Sequence, residues 1–351
     1  MAAKLVKVLI VDDSALIRQI LTAVMKSDPD IELVGTAEDP LVARRMIKKL
    51  NPDVITLDIE MPNMDGLSFL EKIMALRPMP VIMISSLTQR GAEQTMRALE
   101  LGAYDIIAKP TANLEHNFEE LRTEILSKVK AAAKARICRP AHLGRKITQT
   151  RIAMPKVNLI AVGASTGGVV ALKEIIPLLP RGMPPIVVVQ HMPPAYTKSF
   201  AERLDLASTL NVQESAHHTK LERSNVYIAH GDIQLRVGRR GNSEILLEHG
   251  CEDKISGHRP SVDALFMSIT SLGVRNVVGL ILTGMGKDGA TGMLALRQAG
   301  AYTIGQCETS CVVYGMPRAA QEIDAVEIEL PLSKIAKELE TLCWPTGLNK
   351  P

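Results

Sequence analysis

A chain of 351 residues, 46% apolar and 23% charged, has ordinary globular composition, and its length suits two domains of ~150 residues each. Aromatics make up only 3%, so the cores must be aliphatic and broad base-stacking surfaces are excluded, while a net charge of +3 points to neither nucleic acid nor a membrane surface. Five scattered cysteines (Cys138, Cys251, Cys307, Cys311, Cys343) exclude a disulfide framework and suit a reducing compartment, and Cys307-x3-Cys311 has no second half to complete a zinc site.

In chain order, Val6–Val11 is a short apolar run, and Ser14–Met25 places Ile17, Ile20, Leu21 and Val24 at helical spacing. Strand and helix signals then alternate: Ile31–Thr36 and Leu41–Leu50, Val54–Leu57 and Leu67–Leu76, Val81–Ile84 and Ala92–Leu101, Asp105–Ala108 and Glu119–Lys134. Five β-α units in succession imply a doubly wound parallel sheet. From about Ala135 to Lys156 the periodicity fails. Pro140, Gly144 and Pro155 punctuate a basic stretch, and no Asp or Glu occurs between Glu124 and Glu174. The expected organisation is a first domain over residues 1–125, a basic linker over 126–156 and a second domain over 157–345. In the second domain, strand Val157–Val162 leads to helix Val169–Leu179, and strand Ile186–Gln190 to helix Thr197–Leu206. Shorter strands follow over Val212–Glu248, with a hairpin turn at Arg239-Arg240-Gly241-Asn242. Helix Ser261–Leu272, strand Val277–Leu282, helix Met293–Gln298 and strand Ala301–Ile304 complete a mostly parallel α/β sheet with an antiparallel insertion.

Acidic residues recur where strands of the first domain end: Asp12 and Asp13 after the first, Asp58 after the third. Ligands of an open parallel sheet sit outside the carboxyl ends of its strands, and three carboxylates converging there need a hard cation such as Mg²⁺. Ser85 ends the fourth strand and Lys109, before Pro110, the fifth. A hydroxyl, an ammonium and a metal around one carboxylate make a site for a phosphoryl group. With Val11-Asp12-Asp13-Ser14, Leu57-Asp58-Ile59-Glu60-Met61-Pro62-Asn63-Met64-Asp65-Gly66, Ser85 and Lys109-Pro110, residues 5–125 resemble a two-component receiver domain. The resemblance implies that Asp58 accepts the phosphoryl group, that Asp12 and Asp13 hold Mg²⁺ with it, that Ser85 and Lys109 contact the phosphoryl group, and that Tyr104 is the switch aromatic.

Gly163-Ala164-Ser165-Thr166-Gly167-Gly168 puts a serine on a tight turn between a buried strand and a helix, with the Gly-x-Ser-x-Gly spacing of a nucleophile elbow. His191 closes a neighbouring strand, and Asp288 lies in the glycine-rich turn Thr283–Gly289 after another, so base and orienting acid fall on one sheet edge with Ser165. His217, His218, His230 and His258 sit in loops and are weaker candidates. The order Ser, His, Asp differs from the Ser, Asp, His of α/β-hydrolases, which indicates another sheet topology.

With Gln190-His191-Met192, His258-Arg259-Pro260-Ser261-Val262-Asp263, Thr283-Gly284-Met285-Gly286-Lys287-Asp288-Gly289 and Tyr314-Gly315-Met316-Pro317, residues 157–340 resemble the catalytic domain of the chemotaxis protein-glutamate methylesterases. His230, where a proline is commoner, and His217–Asn225 depart from that pattern. The resemblance implies a phosphorylation-activated hydrolase that demethylates glutamate γ-methyl esters, and deamidates glutamines, on methyl-accepting chemoreceptors. It implies oxyanion donors at the Met285 N–H with help from Thr166, and a chemotaxis-type histidine kinase as phosphodonor. Ester cleavage needs no cofactor in this reading, and the receiver blocks the Ser165 edge until Asp58 is phosphorylated. A cytoplasmic protein without membrane insertion is expected, since Asp12 and Asp13 interrupt the first apolar run. A DNA-binding output would need a recognition helix, and the second half shows no helix-turn-helix segment.

Overall fold

The computed structural model describes residues 5–62, 64–86, 88–109, 114–135, 156–241 and 244–344, divided between two compact units. Asn63, Pro110, Asn242, linker residues 136–155 and the chain beyond 344 lie outside them.

The first unit alternates β1 (Val6–Val11), α1 (Ala15–Lys26), β2 (Ile31–Ala37), α2 (Pro40–Leu50), β3 (Val54–Asp58), α3 (Gly66–Leu76), β4 (Val81–Ser85), α4 (Gln89–Glu100), β5 (Asp105–Ala108) and α5 (Leu114–Lys134). The sheet is parallel, ordered β2-β1-β3-β4-β5. Every residue of β3 and β4 is buried, which explains why these strands read as unbroken apolar runs rather than alternating ones. Helix starts are fixed by side-chain caps: Ser14 accepts from the Ile17 N–H, Asp39 from Leu41 and Val42, and Asp65 from Ser68. The boundary expected at residue 125 falls inside α5, which continues to Lys134 because Ile125, Leu126, Val129 and Ala132 are buried at helical spacing.

The second unit contains β6 (Leu159–Ala164), α6 (Gly168–Ile175), β7 (Ile186–Gln190), α7 (Pro194–Ala207), β8 (Asn211–Glu214), β9 (Asn225–Ile228), β10 (Gln234–Arg240), β11 (Glu244–Gly250), α8 (Val262–Ser271), β12 (Val277–Ile281), α9 (Ala290–Gln298), β13 (Tyr302–Gln306), α10 (Met316–Glu322), β14 (Ile328–Leu330) and α11 (Leu332–Cys343). Seven strands form one parallel sheet ordered β14-β13-β12-β6-β7-β9-β8. The chain runs outward from β6 through β7, then returns to β12 on the other flank of β6. The crevice at that reversal is where ligands of such sheets bind.

Three details differ from the sequence pattern. β6 ends at Ala164 rather than Val162, because Gly163 and Ala164 pair with Val189 and Gln190 of β7. The short strands of the middle are of two kinds: β8 and β9 join the main sheet in parallel, and only β10 and β11 are antiparallel, forming a separate ribbon against α8. Beyond Ile304 the sequence pattern predicts nothing, yet α10, β14 and α11 follow. β14 is three half-buried residues, too short for a period to show. Among the described residues no helix is long and apolar enough to cross a membrane.

A fragment ending at residue 135 is expected to unfold cooperatively in urea. One ending at 125 loses the burial of Leu126 and Val129 and should be less stable by roughly 2 kcal/mol or more; equal stabilities would contradict the assignment of α5 to this core.

Candidate active site and acidic site

In the second unit, the register pairs Ala164 with Gln190, so Ser165 and His191 leave adjacent strands side by side. The Gly168 N–H donates to the Ser165 carbonyl at 2.7 Å and closes the turn, with Gly167 at φ +81°, the left-handed region that glycine enters without strain. The Ser165 N–H donates to Thr283 O at 3.1 Å, which ties the turn to the loop after β12. A Cβ on Gly284 in that loop would lie 2.8 Å from Ser165 Cβ, so the loop reaches Ser165 only because residue 284 has no side chain. The Gln190 amide donates through Nε2 to the carbonyls of both Ser165 (2.9 Å) and His191 (3.1 Å), linking the two turns.

Asp288 is 1% exposed and its Oδ2 meets His191 Nε2 at 2.8 Å. The same carboxylate accepts from Ser261 Oγ at 2.8 Å, the Val262 N–H at 2.7 Å and the Asp263 N–H at 3.1 Å. Burial alone would raise its pKa. The hydrogen bond and charge of His191, with the Val262 N–H and the Ser261 hydroxyl, outweigh burial and hold the carboxyl below its ordinary value. An ionised carboxylate only accepts, so Nε2 bears a proton toward it, and in the neutral ring Nδ1 holds the lone pair. Nδ1 is buried and has no hydrogen-bond partner among the described residues. The site therefore holds a hydroxyl on a tight turn, and an imidazole that gives one nitrogen to Asp288 and leaves the other bare. The Met285 N–H, next to Gly284, donates to no group among the described residues. Thr166, expected to help it, is buried, and its carbonyl accepts from Thr283 Oγ1 at 3.0 Å.

In the first unit, carboxylate oxygens of Asp12, Asp13 and Asp58 lie within 4.8 Å of one another. Asp12 Oδ2 is buried without a hydrogen-bond partner among the described residues, and Lys109 Nζ stands 2.7 Å from Asp58 Oδ2 and 3.7 Å from Asp12 Oδ2. This all-oxygen donor set with an unsatisfied buried oxygen fits Mg²⁺. Burial, then the Asp58 charge, pushes Asp12 up to about 6. Burial also raises Asp58, against the opposing hydrogen bond from Lys109. Burial would lower Lys109, but Asp58 first, then Asp12 and Asp13, raise it, so it stays an ammonium.

The chain matches the family model for CheB methylesterase over residues 160–339 and that for the response regulator receiver domain over residues 8–120. It is 52% identical over 337 residues to protein-glutamate methylesterase/protein-glutamine glutaminase 1 of Caulobacter vibrioides, covering 95% of this chain and 97% of that protein. It is 49% identical over 338 residues to the protein-glutamate methylesterase/protein-glutamine glutaminase of Salmonella typhimurium, covering 95% and 96%. The chain belongs to the protein-glutamate methylesterase/protein-glutamine glutaminase family. Its fold also matches the crystal structure of the Thermotoga maritima CheB methylesterase catalytic domain, with 38% identity and a TM-score of 0.52, covering 53% of this chain and 98% of that one.

Within this methylesterase one receiver residue, Tyr104, is not where the sequence reading puts it. Tyr104 precedes β5, and its N–H donates to Val81 O at the start of β4. It therefore lies at the amino-terminal edge of the sheet, opposite Asp58, and its buried hydroxyl has no partner among the described residues. The resemblance made Tyr104 the switch aromatic, but the whole of β5 separates it from Lys109. Ser85 does end β4, yet its buried hydroxyl accepts from Thr95 Oγ1 at 2.7 Å and stands 3.5 Å from Gly91 O. It faces α4, which offers a buried hydroxyl both a donor and an acceptor.

Sequence reasoning missed the supports of the His191–Asp288 pair. Ser261, read as the first residue of a helix, instead caps α8, and its hydroxyl also donates to Asp288. His258, set aside as a loop histidine, stacks on His191. No spacing rule connects these residues, because the contacts cross between loops of different strands. Cys307 and Cys311 form no disulfide among the described residues, and the one metal-competent cluster among those residues is the Asp12–Asp13–Asp58 group.

Two outcomes follow from these environments. Asp12 binds its proton up to about pH 6 in the metal-free fold, against an ordinary 3.8, so its contribution to metal-free stability falls as pH rises through that window. Mg²⁺ must displace that proton, so its affinity, measured by calorimetry, should fall by up to about tenfold per pH unit below about 6; an affinity flat from pH 7 to 5 would contradict this. Gly284→Ala would force the loop off Ser165, and kcat for ester hydrolysis is expected to drop by about 10²-fold while Asp58 phosphorylation is unchanged. Wild-type turnover in that variant would show that the loop has no part in positioning the nucleophile.

Proposed function

We propose that Ser165 is the nucleophile, His191 the general base and Asp288 the orienting acid of ester and amide hydrolysis at glutamate side chains of methyl-accepting chemoreceptors. The carrying observation is the 2.8 Å His191–Asp288 hydrogen bond, which leaves Nδ1 bare beside the strand end that presents Ser165. Ser165 Oγ attacks the γ-carbonyl carbon as Nδ1 takes its proton, and the carbonyl oxygen gains negative charge against the Met285 N–H, with Thr166 assisting. His191 returns the proton to the leaving methoxide, which departs as methanol and leaves an acyl-serine. Water, deprotonated by His191, then releases glutamate and restores Ser165. Glutamine follows the same course with ammonia as leaving group. The ester chemistry draws on side chains and backbone donors alone.

In the receiver, Asp58 accepts a phosphoryl group from a chemotaxis-type histidine kinase. Mg²⁺ held by Asp12, Asp13 and Asp58 supplies charge neutralisation at that carboxylate when bound. Lys109, already 2.7 Å from Asp58, pairs with a phosphoryl oxygen, and Ser85 reaches one by exchanging Thr95 as its partner. Phosphorylation of Asp58 raises turnover at Ser165, and the protein works in the cytoplasm, where kinase and receptor signalling domains are available.

Methanol release from a methylated receptor fragment tests both parts. Ser165→Ala should abolish release and leave Asp58 phosphorylation intact; retained release would remove the nucleophile assignment. A phosphodonor should stimulate the wild type and not Asp58→Asn, and equal stimulation of the two would refute receiver control.

A further inference from the structure

His258 is held by the same segment that satisfies Asp288. Ile255 and His258 exchange backbone hydrogen bonds at 3.0 and 2.9 Å around Ser256 (φ +52°) and Gly257 (φ +83°), a reversal made by two left-handed residues. Gln234, fully buried at the start of β10, donates to the His258 carbonyl at 3.1 Å and accepts from the Ser261 N–H at 2.9 Å. One side chain of the antiparallel ribbon thus fixes both ends of the run from His258 to Ser261. At one end the His258 ring lies on His191, with centroids 3.8 Å apart and planes 8° from parallel. At the other end Ser261 donates to Asp288.

The stacking geometry is informative because neutral aromatic pairs prefer offset or edge-to-face contacts with centroids about 4.5–7 Å apart. A closer, nearly parallel pair suits a cation over a π face. In the proposed mechanism His191 becomes such a cation when it takes the serine proton, so the contact is stronger in the transition state than with the neutral ring, which is the condition for it to raise kcat. We propose that His258 is a positioning residue of this hydrolase: its ring face holds the His191 imidazole in plane with Asp288 and stabilises the imidazolium formed when Ser165 attacks. The inference rests on His191 being the base. It assigns the ribbon β10–β11 a catalytic purpose, as the anchor of Gln234 and through it of His258.

The test compares His258→Ala, His258→Phe and His191→Ala in the full-length chain by methanol release from a helical receptor fragment carrying glutamate γ-methyl esters. His258→Ala is expected to lower kcat by about 10–100-fold with KM changed by less than about threefold, and to shift or broaden the downfield proton resonance of His191 Nε2–H. His258→Phe, which keeps a π face and removes both ring nitrogens, should recover kcat to within about fivefold of wild type. If His258→Ala turns over like wild type, or His258→Phe is as slow as His258→Ala, the proposal is overturned. If His191→Ala itself retains turnover, the base assignment fails first, and that result is distinguishable from the other two.

Discussion

A carboxylate buried beyond the end of β12 has to be matched by donors, and Asp288 is matched by four: His191, the Ser261 hydroxyl and the backbone N–H groups of Val262 and Asp263. An unpaired charge in such a place costs several kcal/mol, and removing one partner of a buried pair costs about 3–5 kcal/mol. The surrounding chain therefore meets at one point. The first turn of α8 gives its N–H groups, the end of β7 gives His191, and Gln234 of the ribbon keeps the His258–Ser261 segment in place. The same hydrogen bonds that make the buried charge tolerable fix the His191 tautomer, so stability and catalytic geometry have a common cause.

Both domains place their chemistry by the same topological device. In the first, β1 and β3 are neighbours although β2 lies between them in sequence, and Asp12, Asp13 and Asp58 project where the strand order reverses. In the second, β6 lies between β7 and β12, and Ser165, His191 and Asp288 emerge from these three strand ends. The two sites need opposite electrostatics. The acidic site concentrates charge so that a cation and a phosphoryl group are welcome there, and Asp12 accordingly rises to about 6. The hydrolytic site surrounds one charge with donors, and Asp288 is lowered.

Much of this was legible in the sequence because strands buried on both faces are unbroken apolar runs, and in a parallel sheet the residue after such a run is a ligand position. Val277–Ile281 is such a run, and Asp288 follows it in a glycine-rich turn. What was not legible crosses between elements without a period. His258 reaches His191 through a loop reversal, and Gln234 acts through its amide on residues more than twenty positions away. Tyr104 shows the converse error: the resemblance made it the switch aromatic, but it precedes β5 while Lys109 follows it, and a strand carries its two ends to opposite edges of the sheet. The boundary at 125 cut through a helix that itself reads to Lys134, because the basic residues after 125 resemble those of the linker that follows, while the buried Val129 and Ala132 occupy the other face.

The central claim is that the Asp288 carboxylate, by holding the proton on His191 Nε2, leaves Nδ1 free to activate Ser165. Asp288→Asn tests it most directly, since the variant keeps the shape of the side chain while its amide can present an N–H to His191 and reverse the tautomer. The account predicts that kcat for methanol release falls by about 10³–10⁴-fold in a protein that still folds and still phosphorylates at Asp58. A kcat within tenfold of wild type would contradict it.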